Sequence, residues 1–554
     1  MKTVISASRS TIVTATAANL ELVIDTGVKV TTTGPAIDAG GSALGRTITV
    51  NGTATAGAGP VLFYGDATFA RAGGVLSIGD TGTLSGKGIG IQALSVGLVV
   101  DNRGTIATSG TGVDVTGADT NLTNSGLIAS TAGLAVSLAG DRVLYTNHGT
   151  AQAAGNAVLQ TGNGGITTNN GEINSTAASA LIALGNGRIL TNNGTINALD
   201  RGFALIGDDT TVTNNGTLNA TNGAGIAIVS ERAIITNTGT LNAGERGIAL
   251  VGSGGVITNN GSIYADNYAI SADGNDLTAV NTQWIQSGGG IRLSGNNANI
   301  VNYGAIEATA AGGAAVDLSA AVSGSLNNLG TLTAQNLAVF GGAGVQTVFN
   351  TGTINGNVML GDGNDYFDTR LGHVSGIVSG EGGDDVYVID DAGIRLVEQV
   401  GGGTDLVQSM VTLTLADNFE NVTLIGDASV SAIGNALANQ MIGNNGDNWL
   451  VGGAGNDVLS GLGGNDTLVG GDGSDTFVFV SGGGFDIVQD FTPRGAGHDV
   501  VDLHGLAGTS GYTDLVTNHL RQVGADVYLT NFGADTLVLQ NVTLADLSAA
   551  DFIF

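Results

Sequence analysis

The sequence predicts an all-β protein: a parallel β-helix (β-solenoid) of about 22 residues per rung, followed by a tighter glycine-rich coil and a C-terminal cap. Three observations carry the prediction. An Asn-x-Gly-x-(Ile/Leu)-x-small motif recurs at a nearly constant step, the short apolar pieces between its copies alternate with period two, and a nine-residue motif dense in Gly and Asp takes over near Gly434.

Residues 1–24 precede the regular repeat and are assigned as a cap or assembly segment, because a solenoid end is a row of unpaired strand edges that must be covered. Their sequence, MKTVISASRSTIVTATAANLE onward, lacks the apolar stretch of a cleavable secretory signal. The β-helix is assigned to 25–356. Its leading Asn falls at Asn102, Asn124, Asn147, Asn169, Asn192, Asn214, Asn237, Asn259, Asn281, Asn302, Asn328 and Asn350, a mean step of about 22.5 residues, with weaker copies at Asp25, Asn51 and Asp80. Two residues on stands Gly, except at Gln283, and four residues on an aliphatic row runs from Ile106 to Ile354, broken by Ala151. Like residues at one position per rung are what stacked parallel strands require: the aliphatic row fills the interior, the Gly admits a tight turn, and the Asn either stacks as an amide ladder or closes its own turn. An amphipathic helix would space its apolar residues by three and four and would not tolerate repeated Asn-Gly. Some fifteen rungs at strand spacing make roughly 70 Å of coil.

Composition narrows the function classes. The chain has 554 residues, 94 of them Gly and three Pro, with no three-residue Gly period, so it is no collagen. There is no Cys, which excludes disulfides and thiolate metal sites. Acidic residues number 47 against 17 basic, and residues 356–554 hold 27 of the acidic and 4 of the basic ones. A polyanion of this kind is no nucleic-acid binder, and its natural partners are cations. No run of eighteen apolar residues offers a transmembrane helix.

Residues 357–433 are a linking β-region with two glycine-rich turns, GDGNDYFD at 361–368 and GEGGDDVYV at 380–388, centred on Asp365 and Asp385. From 434 to 480 five copies follow in phase: GNALANQMI, GNNGDNWLV, GGAGNDVLS, GLGGNDTLV and GGDGSDTFV. In each, a glycine-dense turn brings the sixth residue and several carbonyls to one point, and an x-U-x triplet makes a short strand with its apolar residue inward: Leu450, Leu459, Leu468, Phe477. Two facing turns offer a hard cation six oxygens, which suits Ca2+ better than Mg2+.

These copies resemble the RTX, or hemolysin-type, family of secreted proteins, whose repeats form a parallel β-roll with Ca2+ between turns. The resemblance implies metal contacts from Asp457, Asp466 and Asp475, with Asn448 and Asn439 at the same position of the first two copies, and turn 443 paired with 461 and 452 with 470. Asp447 and Asp472 are the other carboxylates inside the copies and join the candidate ligands. Residues 481–554 resemble the family's cap, where Asp486, Asp490, Asp499 and Asp502 fill acidic positions. The end, Asp551-Phe552-Ile553-Phe554, resembles the uncleaved signal read by type I exporters and implies secretion.

A β-helix followed by an RTX module is also the plan of alginate epimerases, but their Tyr…Asp-Pro-His signature is missing here, as are HExxH and GxSxG. His148 reads as a turn residue, and the acidic pair Asp208-Asp209 has no partner acid in register. No enzyme is expected. Of the aromatics Tyr264, Tyr268, Trp284, Tyr303, Phe340 and Phe349, most are expected to fill core, with Trp284 and Tyr303 in turn-like positions as candidates for stacking on sugar rings. The composition resembles bacterial surface-layer and matrix proteins. The expected function is therefore a Ca2+-folded extracellular structural protein that assembles with itself, with an adhesin for cell-surface polysaccharide as the rival and a polysaccharide-modifying enzyme behind it.

Overall fold

The computed structural model describes residues 1–40, 45–65, 73–495 and 497–554, and divides into two compact units, Met1–Asp317 and Leu318–Phe554. The division leaves the last two Asn copies, Asn328 and Asn350, in the second unit.

Between Thr105 and Asn259 of the first unit each rung carries three four-residue strands. Ile166–Asn169, Glu172–Ser175 and Leu181–Leu184 make one rung, and each pairs in parallel with its counterpart in the next: Ile189–Asn192, Thr195–Ala198 and Phe203–Ile206. The segment ahead of the regular repeat joins the same coil, since Lys2–Ile5 pairs in parallel with Glu21–Ile24, which pairs in parallel with Arg46–Val50. Alternation along each strand sends one set of side chains inward. Ile173, Ile196, Leu218, Leu241 and Ile263 stack as one buried row, and Leu181, Phe203, Ile226 and Ile248 as another. The motif Asn is buried at a corner and plays both expected parts. Its Nδ2 donates to the Oδ1 of the next rung's Asn at 2.7–2.9 Å from Asn102 through to Asn302, and from Asn147 on several also donate to the carbonyl two residues ahead, as Asn147 does to Gly149 at 3.1 Å. The ladder starts at Asn102 because the rung before it places Ile78 in register there.

In the second unit the rungs shorten while one interior column runs on. Leu326, Val348, Phe367, Tyr387, Val407, Val422, Met441, Leu459, Phe477, Val501 and Phe552 are in parallel register and all buried. Over the nine-residue repeats a rung is two copies, which alternate between two walls: Leu450 stacks on Leu468, and Leu459 on Phe477. The pairing of turn 443 with 461 and of 452 with 470 follows from this register. The coil ends on Tyr512–Asn518, the one α-helix among the described residues, and on the antiparallel strands Leu520–Val523, Asp526–Phe532 and Asp535–Leu539, the last of which pairs with Phe485–Val488. No helix among the described residues is long and apolar enough to cross a membrane.

Candidate metal centre

The residue just before each of eight successive strands of one wall of the second unit forms a single file: Asp365, Asp385, Asp405, Glu420, Asn439, Asp457, Asp475 and Asp499. Register stacks them, because the residues that follow them pair rung by rung from Tyr366 to Val500. Each acid uses one oxygen to accept the backbone N–H of the residue one rung earlier. Gln346 N–H donates to Asp365 at 2.6 Å, Asp365 to Asp385 at 2.7 Å, Asp385 to Asp405 at 2.9 Å and Asp405 to Glu420 at 2.9 Å. The series resumes with Asn439 N–H to Asp457 at 2.7 Å, Asp457 to Asp475 at 2.9 Å and Asp475 to Asp499 at 2.9 Å. Between the two stretches the Asn439 amide turns round and donates to the carbonyls of Phe419 and Glu420. On the facing wall a shorter file repeats the arrangement, Asn448 N–H to Asp466 at 2.7 Å and Asp466 N–H to Asp486 at 2.9 Å.

The other oxygen is the informative one. Oδ2 of Asp365, Asp385, Asp405, Asp457, Asp466 and Asp475 is buried and without a partner, and so is Oε2 of Glu398. A buried carboxylate oxygen with nothing to accept from is costly unless a proton or a cation meets it. Burial accordingly raises carboxyls of both files out of the usual Asp range, Asp457 and Asp466 to about 6 and Asp365 and Asp486 to about 8. Space for a cation is built in beside the oxygen. The first glycine of each nonapeptide, Gly452, Gly461 and Gly470, turns its α-carbon toward the free oxygen of its own turn's Asp457, Asp466 and Asp475, so that any β-carbon there would occupy the place. Gly452 also faces the Gly470 carbonyl one rung on. Carboxylate and carbonyl oxygens with no nitrogen or sulfur suit a hard divalent ion.

Of the residues expected from the sequence, Asp365, Asp385, Asp457 and Asp475 stand in the long file, with Asn439 at the same position, and Asn448, Asp466 and Asp486 in the short one. Four others stand apart. Asp447 is exposed and accepts from the Asn465 N–H at 2.7 Å, Asp472 is exposed, and both oxygens of Asp490 are taken by the N–H groups of Gly470 and Gly471. Asp502 is bound to His504 at 2.8 Å. Sequence reasoning missed Asp405, Glu398 and Glu420. Asp405 was within reach: it lies twenty residues after Asp385, as Asp385 does after Asp365, and ends the glycine-rich GGGTD. Glu398 carries no motif.

The sugar-stacking candidates are exposed but do not meet in one file. Trp284 opens the strand Trp284–Leu293, not a turn, in register with Ser262 and Ala305, whereas Tyr303 follows the ladder residue Asn302 at a corner. Phe349 is 44% exposed against Tyr366, which corrects the expectation of core filling. An open groove of about 500 Å³ lies instead along Asn219, Asn242, Tyr264 and Gln286. His148 is an exposed turn residue beside Asn170, and Asp209 is held by Arg232 at 2.7 Å.

Residues 442–477 match the RTX calcium-binding nonapeptide repeat in four copies. Residues 442–477 are therefore a run of RTX calcium-binding repeats within a parallel β-solenoid, and repeats of this class typify secreted proteins. It is 38% identical over 173 residues to the endo-1,3-1,4-beta-glycanase EglC of Rhizobium meliloti (strain 1021), which is 31% of this chain and 34% of that protein, so it spans about a third of the relative. Among solved structures it is similar to the extracellular lipase LipA of Serratia marcescens, at 20% identity and a TM-score of 0.18 over 38% of this chain and 40% of that one.

Proposed function

We propose that this protein is a non-enzymatic structural component of the bacterial cell surface or extracellular matrix, exported unfolded by a type I system, folded by Ca2+ outside the cell and assembled with copies of itself into a layer or filament. The observation that carries the calcium step is the set of buried, unpartnered carboxylate oxygens. At cytosolic calcium levels these acids repel one another and a Gly-rich chain cannot offset its ordering entropy; at extracellular levels the binding free energy becomes folding free energy.

Assembly is supported by an apolar face on the first unit. Leu184, Ile206, Val229 and Val251 are in register and 37%, 57%, 50% and 51% exposed. Across a short turn a second file follows, Leu144, Ile166, Ile189, Ile234 and Val256, interrupted by Thr211. Two exposed aliphatic files running along several rungs favour burial against another surface, and a second copy offers the same repeat spacing. Electron microscopy and light scattering of the full chain test this: with Ca2+ the wild type should assemble and I206E/V229E should remain monomeric, while wild-type monomers at high concentration would defeat the assembly reading.

A second reading, binding of a polysaccharide by the monomer, is favoured by the groove along Asn219, Asn242, Tyr264 and Gln286, where amides and a tyrosine face suit a sugar chain. The glycanase relative is in keeping with it. Glycan-array binding that is lost in Y264A and in W284A would support this reading over the first.

A further inference from the structure

We propose that Asp385, Glu398 and Asp405 form a divalent-cation site of their own, outside the nonapeptide repeats, that takes one hard, oxygen-seeking ion of the calcium class. This deepens the calcium reading above and rests on the members of that set of oxygens that lie outside the nonapeptides. Asp385 and Asp405 are successive members of the long file, whereas Glu398 follows the strand Arg395–Val397 of the other sheet and belongs to no glycine-rich turn.

One carboxylate oxygen from each residue lies within 4.8 Å of the other two. Oxygens around a single Ca2+, bound at about 2.4 Å each, can be up to about 4.8 Å apart, so the triangle is of a size that one ion spans. The three side chains are 1%, 5% and 1% exposed. In each, one oxygen is already used: Asp385 Oδ1 accepts the Asp365 N–H, Asp405 Oδ1 accepts the Asp385 N–H, and Glu398 Oε1 accepts the Gly380 N–H at 3.2 Å and the Tyr387 hydroxyl. The remaining oxygens, Oδ2 of Asp385, Oε2 of Glu398 and Oδ2 of Asp405, have no partner. No Lys, Arg or His forms an ion pair with any of the three among the described residues. Gly380 completes the cradle, since a β-carbon there would run into Asp385 Oδ2 and the Tyr387 hydroxyl. Three buried carboxylates with one free oxygen each and no counter-charge are a poor way to hold two walls together without a cation and a good way to do so with one. The absence of imidazole from the donor set disfavours zinc.

Isothermal titration calorimetry of the full chain with CaCl2 should find one ion fewer per chain in E398Q than in wild type. In EGTA the same variant should melt at a higher temperature than wild type, because one of three like charges is gone, and it should gain less on calcium addition. D466N should lower the ion count by acting on the nonapeptides in both backgrounds. An unchanged count in E398Q overturns the site; a loss in E398Q with none in D466N keeps the site and removes the nonapeptide reading. Y387F, which leaves all three carboxylates in place, supplies an independent readout if E398Q does not fold: Tb3+ emission excited through tyrosine should fall in this variant, and unchanged emission overturns the site.

Discussion

A buried asparagine is tolerated only when its amide is matched at both ends, and the ladder does this by making each Asn the partner of the next. Asn214 donates to Asn237 and accepts from Asn192, at 2.7 and 2.8 Å. Asn214→Ala would leave the Asn192 donor and the Asn237 acceptor unmatched in the interior and open a small void, a local cost of about 3 kcal/mol. Hydrogen exchange in the full chain should show faster opening of the rungs around 192–240 and little change far from them, since each rung contacts only its neighbours. The same accounting picks out the acids of the second unit, where one oxygen is matched and the other is not. An asparagine ladder closes by itself; a carboxylate file of this geometry requires something else to complete it.

At the scale of the element, the file sets the pH response of the ion-free fold. Burial raises Asp457, Asp466, Asp499 and Asp405 to about 6, Asp385 and Glu398 to about 7, and Asp365 and Asp486 to about 8. These groups hold protons more tightly folded than unfolded, so their contribution is fully present below the ordinary carboxyl range, near pH 4, and is lost as pH rises through about 6 to 8. Circular-dichroism melts in EGTA should therefore show the second unit growing less stable between about pH 5 and pH 8. With saturating calcium the trend should reverse, because the ion binds the ionised carboxylate and competes with the proton. A melt in EGTA that is flat over this range would contradict the burial of the file.

For the whole molecule, the two units should answer differently to calcium because their interiors are built from different chemistry. The first unit is held by aliphatic rows and amide ladders that need no ion. The second, which carries most of the net charge of −30, has its corners lined with acids. Hydrogen exchange on the full chain after chelation should show protection lost over 365–502 and retained over 102–302. Equal loss in both regions would mean that the first unit depends on calcium as well. The terminal acid belongs to this scale too: Asp551 is fully buried, bound to His498 at 2.8 Å and capping the turn begun by Ser548, while Phe552 and Ile553 pair with Val501 and Asp502. A signal read by an exporter from these residues would have to be read before the second unit folds.

The solenoid, its rung length, the corner asparagines and the nonapeptide aspartates were determined by the sequence alone, because parallel stacking places like residues at a fixed step and the step can be read along one dimension. Tertiary structure alone decided the rest. Glu398 meets Asp385 and Asp405 only because the strand before it lies on the opposite wall of the same rung, and the aliphatic files at Leu184–Val251 become a surface only when register lines up residues some 22 positions apart with their alternation facing out. The free oxygens are likewise invisible in the chain, since which oxygen of a carboxylate is used depends on the backbone N–H one rung away, and that distance is set by the coil and not by any neighbour in sequence.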